Sequence, residues 1–263
     1  MNRRQFLGLS AAGGAAFLAG DMLVEAERLE VTHHRAAIGP ARDTSISMAQ
    51  ITDLHLQRFG RHEENIVRAA NEPRPDCMLI TGDSVDDRTK LGVLEEFMSH
   101  LNPEVPKYAI LGNWEYWSGV DFKALSVLYS RHNCELLVDR SVIFDARGKR
   151  IRMAGFDDYI GSHGRSRGAV ADISPVDGEL LLAHCPYHRD VVPHRQSVML
   201  SGHTHGGQIN LGGLFQFTPP GSGHYLKGWY LSNTLYVSRG LGTSKVPLRL
   251  NSVPELARFE FLA

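Results

Sequence analysis

Seven residues of metal-binding type each follow an apolar run in this chain, and any fold it adopts has to place them. Asp53 and His55 come in Thr52-Asp53-Leu54-His55, Asp83 in Thr81-Gly82-Asp83, and Asn113 in Gly112-Asn113-Trp114-Glu115. His184 follows the run 180–183, and His203 and His205 sit in Gly202-His203-Thr204-His205-Gly206-Gly207-Gln208. Short apolar runs read as buried strands, and an open α/β sheet gathers ligands in the crevice beyond its strand carboxyl ends. Two carboxylates, one amide and four imidazoles meeting there suit a pair of divalent ions such as Mn, Fe, Zn or Co. No cysteine belongs to the set, which argues against an iron–sulfur or structural zinc site.

Bulk properties narrow the partners. The formal net charge of −1 offers no global attraction to nucleic acid or anionic membranes, so affinity for phosphate has to be local and no nucleic-acid partner is expected. Cys77, Cys134 and Cys185 are odd in number and far apart, which makes neither a zinc knuckle nor a disulfide framework. Cys77 opens an apolar run and reads as a small buried hydrophobe. Cys185 follows His184, with no basic partner nearby to activate it.

The N-terminus reads as an export signal. Asn2-Arg3-Arg4-Gln5-Phe6-Leu7 precedes a Gly/Ala-rich apolar stretch over 7–20, which Asp21 interrupts. That stretch is more like a signal-peptide core than a membrane span. The paired arginines resemble a twin-arginine signal, an address read by a receptor. The expected division is therefore a signal peptide at 1–26, with a weak cleavage site at Val24-Glu25-Ala26, and one domain at 27–263. The expected partner is the twin-arginine export machinery, and the expected location is the periplasm or cell envelope. Because that route carries folded proteins, metal could be loaded before export, and a secreted chain could lack disulfides.

Strands are expected at 45–51, 77–80 and 108–111, alternating with helices at 63–71, 91–101 and 121–132, the last capped by Asp121. Further strands are expected at 136–138, 142–144, 151–154, 180–183, 198–200, 235–237 and 257–261. Such an order predicts an α/β fold of two packed sheets with helices outside. In extended backbone, residues i and i+2 share a side. The spacing thus predicts that Asp53 and His55 face one ion, and His203 and His205 likewise if their loop is extended. Two divalent ions bring four positive charges and Asp53 and Asp83 remove two, so the site would attract a phosphate anion. Metal binding can lower the pKa of water to about 7, and two ions ~3.5–4 Å apart can clamp an in-line displacement.

These segments resemble the calcineurin-like metallophosphoesterase family, whose pattern runs Asp-x-His, Gly-Asp, Gly-Asn-His-(Asp/Glu), His, Gly-His-x-His. The likeness runs from about Ser45 to the C-terminus and is to the exported, twin-arginine subgroup of bacterial phosphohydrolases. Besides the metal motifs it rests on Tyr236-Val237-Ser238-Arg239-Gly240-Leu241-Gly242-Thr243-Ser244. It implies a four-layer αββα sandwich, two mixed β-sheets flanked by helices, with a dinuclear metal site at strand C-terminal ends. Asp53, His55, Asp83 and His205 would hold one ion, and Asp83, Asn113, His184 and His203 the other. Asp83 would bridge, Asp83 and Asn113 would act at the reacting centre, and a hydroxide shared by the ions would be the nucleophile.

One position departs from the pattern. Where many members have His after Gly-Asn, this chain has Trp114, whose indole N–H gives no transferable proton. General acid catalysis is typically worth ~10²–10⁴-fold, so an alkoxide would be harder to expel. Either the substrate has a good leaving group, or another side chain such as His188, His163 or His224 supplies the proton, or the enzyme is slow or inactive. Trp114, His188, His224 and Arg239 are the candidate substrate contacts, and Trp114, Tyr116 and Trp117 suit a lipid, sugar or base portion. The leading expectation is a metal-dependent phosphohydrolase of a mono- or diester, envelope-lipid or nucleotide-linked, with peripheral membrane contact as an option. One alternative is a UDP-2,3-diacylglucosamine-type pyrophosphatase of lipid A synthesis, whose leaving group would excuse Trp114 but whose substrate is cytoplasmic. The other is a non-catalytic metal-binding relative.

Overall fold

The computed structural model describes residues 19–166, 174–192, 197–212 and 216–263; the twin-arginine motif lies outside the described residues. Cys77-Met78-Leu79-Ile80-Thr81 is buried along its whole length, as a parallel strand covered on both faces has to be. This strand, β3 (Cys77–Thr81), lies inside a sheet with β1 (Glu30–Ala37), β2 (Ser45–Ile51), β4 (Lys107–Ile110), β5 (Cys134–Leu136) and β12 (Glu255–Leu262). The order is β1-β12-β2-β3-β4-β5, with β2 to β5 mutually parallel and β12 antiparallel to β2. The second sheet holds β6 (Arg140–Ala146), β7 (Lys149–Gly155), β8 (Gly178–Leu182), β9 (Val198–Ser201), β10 (Gly228–Tyr230) and β11 (Leu235–Val237). Its order is β10-β11-β9-β8-β7-β6, parallel through the middle and antiparallel at both edges.

The two sheets pack face to face through Met48, Leu79 and Phe259 from the first and Met153, Leu180 and Leu200 from the second. The other face of the first sheet is covered by α2 (Arg61–Asn71), α3 (Leu91–His100) and α5 (Phe122–Arg131), which turn Ile66, Leu94, Phe97 and Leu125 inward, while the short α4 (Asn113–Trp117) follows β4. Asp121 caps α5, its carboxylate accepting the N–H of Lys123 and of Ala124. Beyond the second sheet lie Phe156, Val192 and Tyr225, from loops beside the short α6 (His188–Val191). The fold is thus two mixed sheets flanked by helices.

Several elements differ from the sequence expectation, among them strand β10 and the short helices at Asn113–Trp117 and His188–Val191, none of which the sequence marked. β1 carries Glu30, His33, His34 and Arg35 along a sheet edge, and its mostly exposed residues show no apolar pattern. The strand expected at 136–138 sits at β5 instead, two residues earlier, although Leu137 N–H still bonds the Ala109 carbonyl (2.7 Å). Residues 19–27 are helical (α1), and no helix among the described residues is long and apolar enough to cross a membrane.

Phe259 stacks on Phe261 and meets Tyr236 edge-on between the sheets. Phe259→Ala should lower the unfolding free energy by about 3–5 kcal/mol, through lost transfer energy and the cavity left behind. Urea denaturation followed by circular dichroism measures this.

Candidate metal centre

Strands β2, β3, β4, β8 and β9 run out at one rim where the two sheets meet, and each delivers ligand-type residues just past its end. Asp53, His55 and His205 bring donor atoms within 4.8 Å of one another, and Asp83, His184 and His203 do the same. Asp83 stands between the groups, its Oδ2 being 3.1 Å from His184 Nε2 and 3.8 Å from His55 Nε2. Asn113 lines the same cavity as Asp83, His203 and His205, and its buried Oδ1 has no hydrogen-bond partner. The seven residues singled out in the sequence therefore come together.

The expected extended geometry is not how this happens. Asp53, His55, Asp83, His203 and His205 have φ of 52°, 47°, 52°, 74° and 50°, in the left-handed region. Non-glycine residues seldom sit there, and each costs of order 1–3 kcal/mol. The chain must leave the sheet sharply at the rim, and left-handed residues turn it at once while keeping the side chains on the crevice. Hydrogen bonds across the seam hold these turns. His203 N–H donates to the Asp53 carboxylate (2.9 and 3.1 Å). Gln50 Nε2 donates to Thr81 Oγ1 (2.9 Å) and to the Ser201 carbonyl in the other sheet (3.1 Å). Glu115, fully buried, accepts the backbone N–H groups of Asp83, Ser84 and Gly112 (3.1, 2.7 and 2.8 Å), tying the Asp83 turn to the Asn113 turn.

Ring orientation supplies the test of metal fit. His55 Nδ1 bonds the Asp86 carboxylate, His184 Nδ1 the Thr81 carbonyl (2.8 Å), and His203 Nε2 the Pro220 carbonyl (2.7 Å). These acceptors assign the proton of each ring to its outward nitrogen. The inward nitrogens then converge, with His55 Nε2 at 2.9 Å from His205 Nε2 and His203 Nδ1 at 3.3 Å from His184 Nε2. Neutral His55, His184 and His203 in those tautomers point lone pairs inward, towards His205, one another and two buried carboxylates, so the arrangement calls for cations. Together with the free Asn113 oxygen, the donor set fits two divalent ions.

The protonation energetics show the same field. Burial raises the Asp53 pKa, but His205, His184 and His55 outweigh it and hold the carboxyl well below the usual range. Asp83 is likewise held down, chiefly by His184 against the cost of burial. Burial opposes a charge on His184, yet Asp83 and Asp53 raise it well above an ordinary histidine. Burial and the Asp83 charge push Glu115 up to about 7.

The four candidate substrate contacts separate. Trp114 lines the cavity with its ring edge-on to His55 (5.9 Å between centroids). His188 is buried against Phe156 and Tyr159, with no hydrogen-bond partner on either ring nitrogen, and is not among the cavity-lining residues. His224 is exposed and rests on Tyr225, and His163 is exposed as well. Arg239 is committed to Glu30 (2.7 Å) and Glu255 (3.3 Å). Three supporting residues were not singled out in the sequence: Glu115, Asp86 and the buried Arg249, whose Nη2 lies 3.5 Å from His205 Nδ1. Glu115 was visible within Gly-Asn-Trp-Glu, whereas Asp86 and Arg249 lie in loops without a pattern.

A family model for calcineurin-like phosphoesterases matches residues 46–207. The chain belongs to that family. It is 28% identical over 290 residues to an uncharacterized metallophosphoesterase, YkuE, of Bacillus subtilis, covering 98% of this chain and 97% of the other. It is 29% identical over 233 residues to an uncharacterized metallophosphoesterase of Aquifex aeolicus, covering 82% and 84%. It is 25% identical over 273 residues to the phosphodiesterase YaeI of Escherichia coli, covering all of both chains. A hydrolase with a metal-binding centre is the class to which the chain belongs.

One measurement probes the centre and another the buried histidine beside it. A Cβ at Gly202 would overlap the Asp53 carboxylate and the Thr52 hydroxyl, so Gly202→Ala should cut bound metal, read by elemental analysis, to less than half of the wild-type content. His188 is held neutral by burial, its pKa lowered from 6.5 to about 4. Its unfolded form binds a proton first, so its contribution is present above pH 6.5 and is lost as pH falls towards 4, to about 3 kcal/mol. Unfolding curves of His188→Phe and the wild type should therefore diverge over that window, with the wild type losing more.

Proposed function

We propose that the protein is an exported phosphodiesterase that cleaves a diester with a bulky apolar substituent, such as an envelope lipid, using two divalent metal ions. The observation carrying this reading is the cavity that opens from the ligands. It holds about 500 Å³, with Asp83, Asn113 and His203 at its base and Trp114, Trp117, Phe217 and Val246 along its walls. Trp117, Phe217 and Val246 are exposed, and a largely apolar wall beside a few convergent polar groups is what a small-molecule site offers.

Bound at the two histidine–aspartate groups, the ions would supply positive charge and acidify a water molecule. Asp53 and Asp83 offset part of that charge and leave a net attraction for phosphate. Asn113 has a side-chain oxygen free at the reacting centre. Trp114 stands where a proton donor is usual in the family, and its ring packs on Trp117 (5.5 Å between centroids) in the apolar wall. The chain thus gives up a proton for the leaving oxygen and gains a surface for an apolar group. That exchange favours substrates whose leaving group needs no acid. The diester class is supported by the likeness to the phosphodiesterase YaeI of Escherichia coli, and export by Asn2-Arg3-Arg4-Gln5-Phe6-Leu7.

Manganese-loaded protein should hydrolyse bis(p-nitrophenyl) phosphate, and Asp83→Ala should abolish turnover. Equal rates in both proteins, or none in either, would leave a non-catalytic relative for such substrates. Phe217→Ala should raise KM for an acylated phosphodiester about tenfold with little change in kcat, as burying an aromatic side chain contributes about 1.5–3 kcal/mol. Trp114→His should speed cleavage of alkyl diesters by about 10²-fold while leaving the nitrophenyl diester nearly unchanged. A UDP-linked diacylglucosamine pyrophosphate, run beside these, would replace the diester reading if it alone turned over.

A further inference from the structure

We propose that residues 19–27 stay in the working protein as a clasp, and that Glu25 is a positioning residue for the His205 side of the metal centre. As a leader cleaved after Ala26, this segment would be dispensable. Instead α1 is fastened to the domain. Met22 is buried, and its carbonyl accepts the Arg249 N–H (3.1 Å). The Glu25 carboxylate accepts two successive backbone donors, Asn251 N–H (3.1 Å) and Ser252 N–H (2.6 Å). Hydrogen bonds to an ionised acceptor are about twice as strong as neutral ones.

The loop held this way, 249–252, is the support of a ligand. Ser252 Oγ donates to the His205 carbonyl. Arg249 donates to the carbonyls of Ser252 (2.7 Å), Arg239 (2.9 Å) and Gly242 (2.5 Å), and its guanidinium faces His205 Nδ1 at 3.5 Å. His55, His184 and His203 each have an oxygen acceptor on the outward nitrogen, whereas His205 has a guanidinium there, which accepts nothing. The aim of the His205 ring therefore depends on where 249–252 holds Ser252 and Arg249. Removing residues up to Ala26 would strip Met22 and Glu25 from that loop. It would also separate the apolar stretch 7–20 from the strap, 244–252, whose first residues, Ser244, Lys245 and Val246, line the cavity.

This inference goes beyond the proposed reaction, because it concerns processing and metal placement. The test uses the full chain with Glu25→Ala, Glu25→Gln and, as a control, Leu23→Ser at an exposed position. Hydrogen exchange by mass spectrometry follows the peptide containing 249–252, and calorimetric titration with Mn²⁺ follows the centre. Glu25→Ala should speed exchange at Asn251 and Ser252 and weaken one of two Mn²⁺ events about tenfold, the low end for outer-shell partners. Glu25→Gln keeps an acceptor oxygen and should recover most of both, and Leu23→Ser should change neither. Intact mass of the chain from its own host should include Met22 and Glu25. Unchanged exchange in Glu25→Ala, or a mature chain that begins after Ala26, overturns the clasp. Absence of Mn²⁺ binding by the wild type would instead overturn the two-metal reading, with the exchange arm still deciding the clasp.

Discussion

The convergence of imidazole lone pairs on two buried carboxylates, at the seam between two sheets, sets the terms for the rest of this molecule. Asp53 and Asp83 are almost wholly removed from solvent, and an isolated buried carboxylate is too costly to keep ionised. Their charge is sustained because His55, His184 and His205 face them, and because three of the four rings are turned by an outer acceptor so that a donor atom points inward. A cation between those atoms converts a mutual repulsion into a set of bonds. Protons can play that part for His184, raised against burial chiefly by Asp83, and for His55, raised against burial first by its Asp86 hydrogen bond and then by Asp83. Divalent ions do so with more charge in less space.

Placing the ligands this way strains the backbone. Five of them occupy the left-handed region, and local strain of that kind persists only where surrounding structure over-determines it. Here the surroundings are specific. Glycines 112 and 202 let the Asp83 and Asp53 carboxylates lie directly against neighbouring backbone. Glu115 gathers three backbone N–H groups with one side chain. His203 N–H and Gln50 join the sheets at the rim. The parallel strands behind them, packed on both faces, supply the rigid base from which loops can hold such turns.

Around this centre one wall is apolar. Trp114 sits edge-on to His55 and to Trp117, and exposed Trp117, Phe217 and Val246 continue that wall outward. The strap 244–252 carries both one side of the wall and, through Arg249 and Ser252, the support of His205. With α1 bound to the same strap, the N-terminal segment, the apolar groove and one half of the metal centre form a continuous set of contacts.

The seven ligand-type residues and most strands and helices were legible because each depends on local chemistry. Apolar runs mark strands, Asp121 marks a helix start, and histidines and aspartates flanked by glycine mark strand-end turns. β1 was not legible, since an edge strand facing water on one side, as at His33 and Arg35, carries little apolar signal. Nor were the roles of His188, His224 and Arg239, whose residue types suit a phosphate site equally well. His188 lies in a core, His224 on the surface, and Arg239 between Glu30 and Glu255. The amino-acid sequence alone determined the chemistry available, which is two carboxylates, an amide and four imidazoles spaced to follow strands. Only the tertiary structure decided which nitrogen each ring turns inward, which carboxylate stands between the groups, and that Glu25, Asp86, Glu115 and Arg249 hold them. Those choices depend on hydrogen bonds between residues far apart along the chain, and such distances have no local signature.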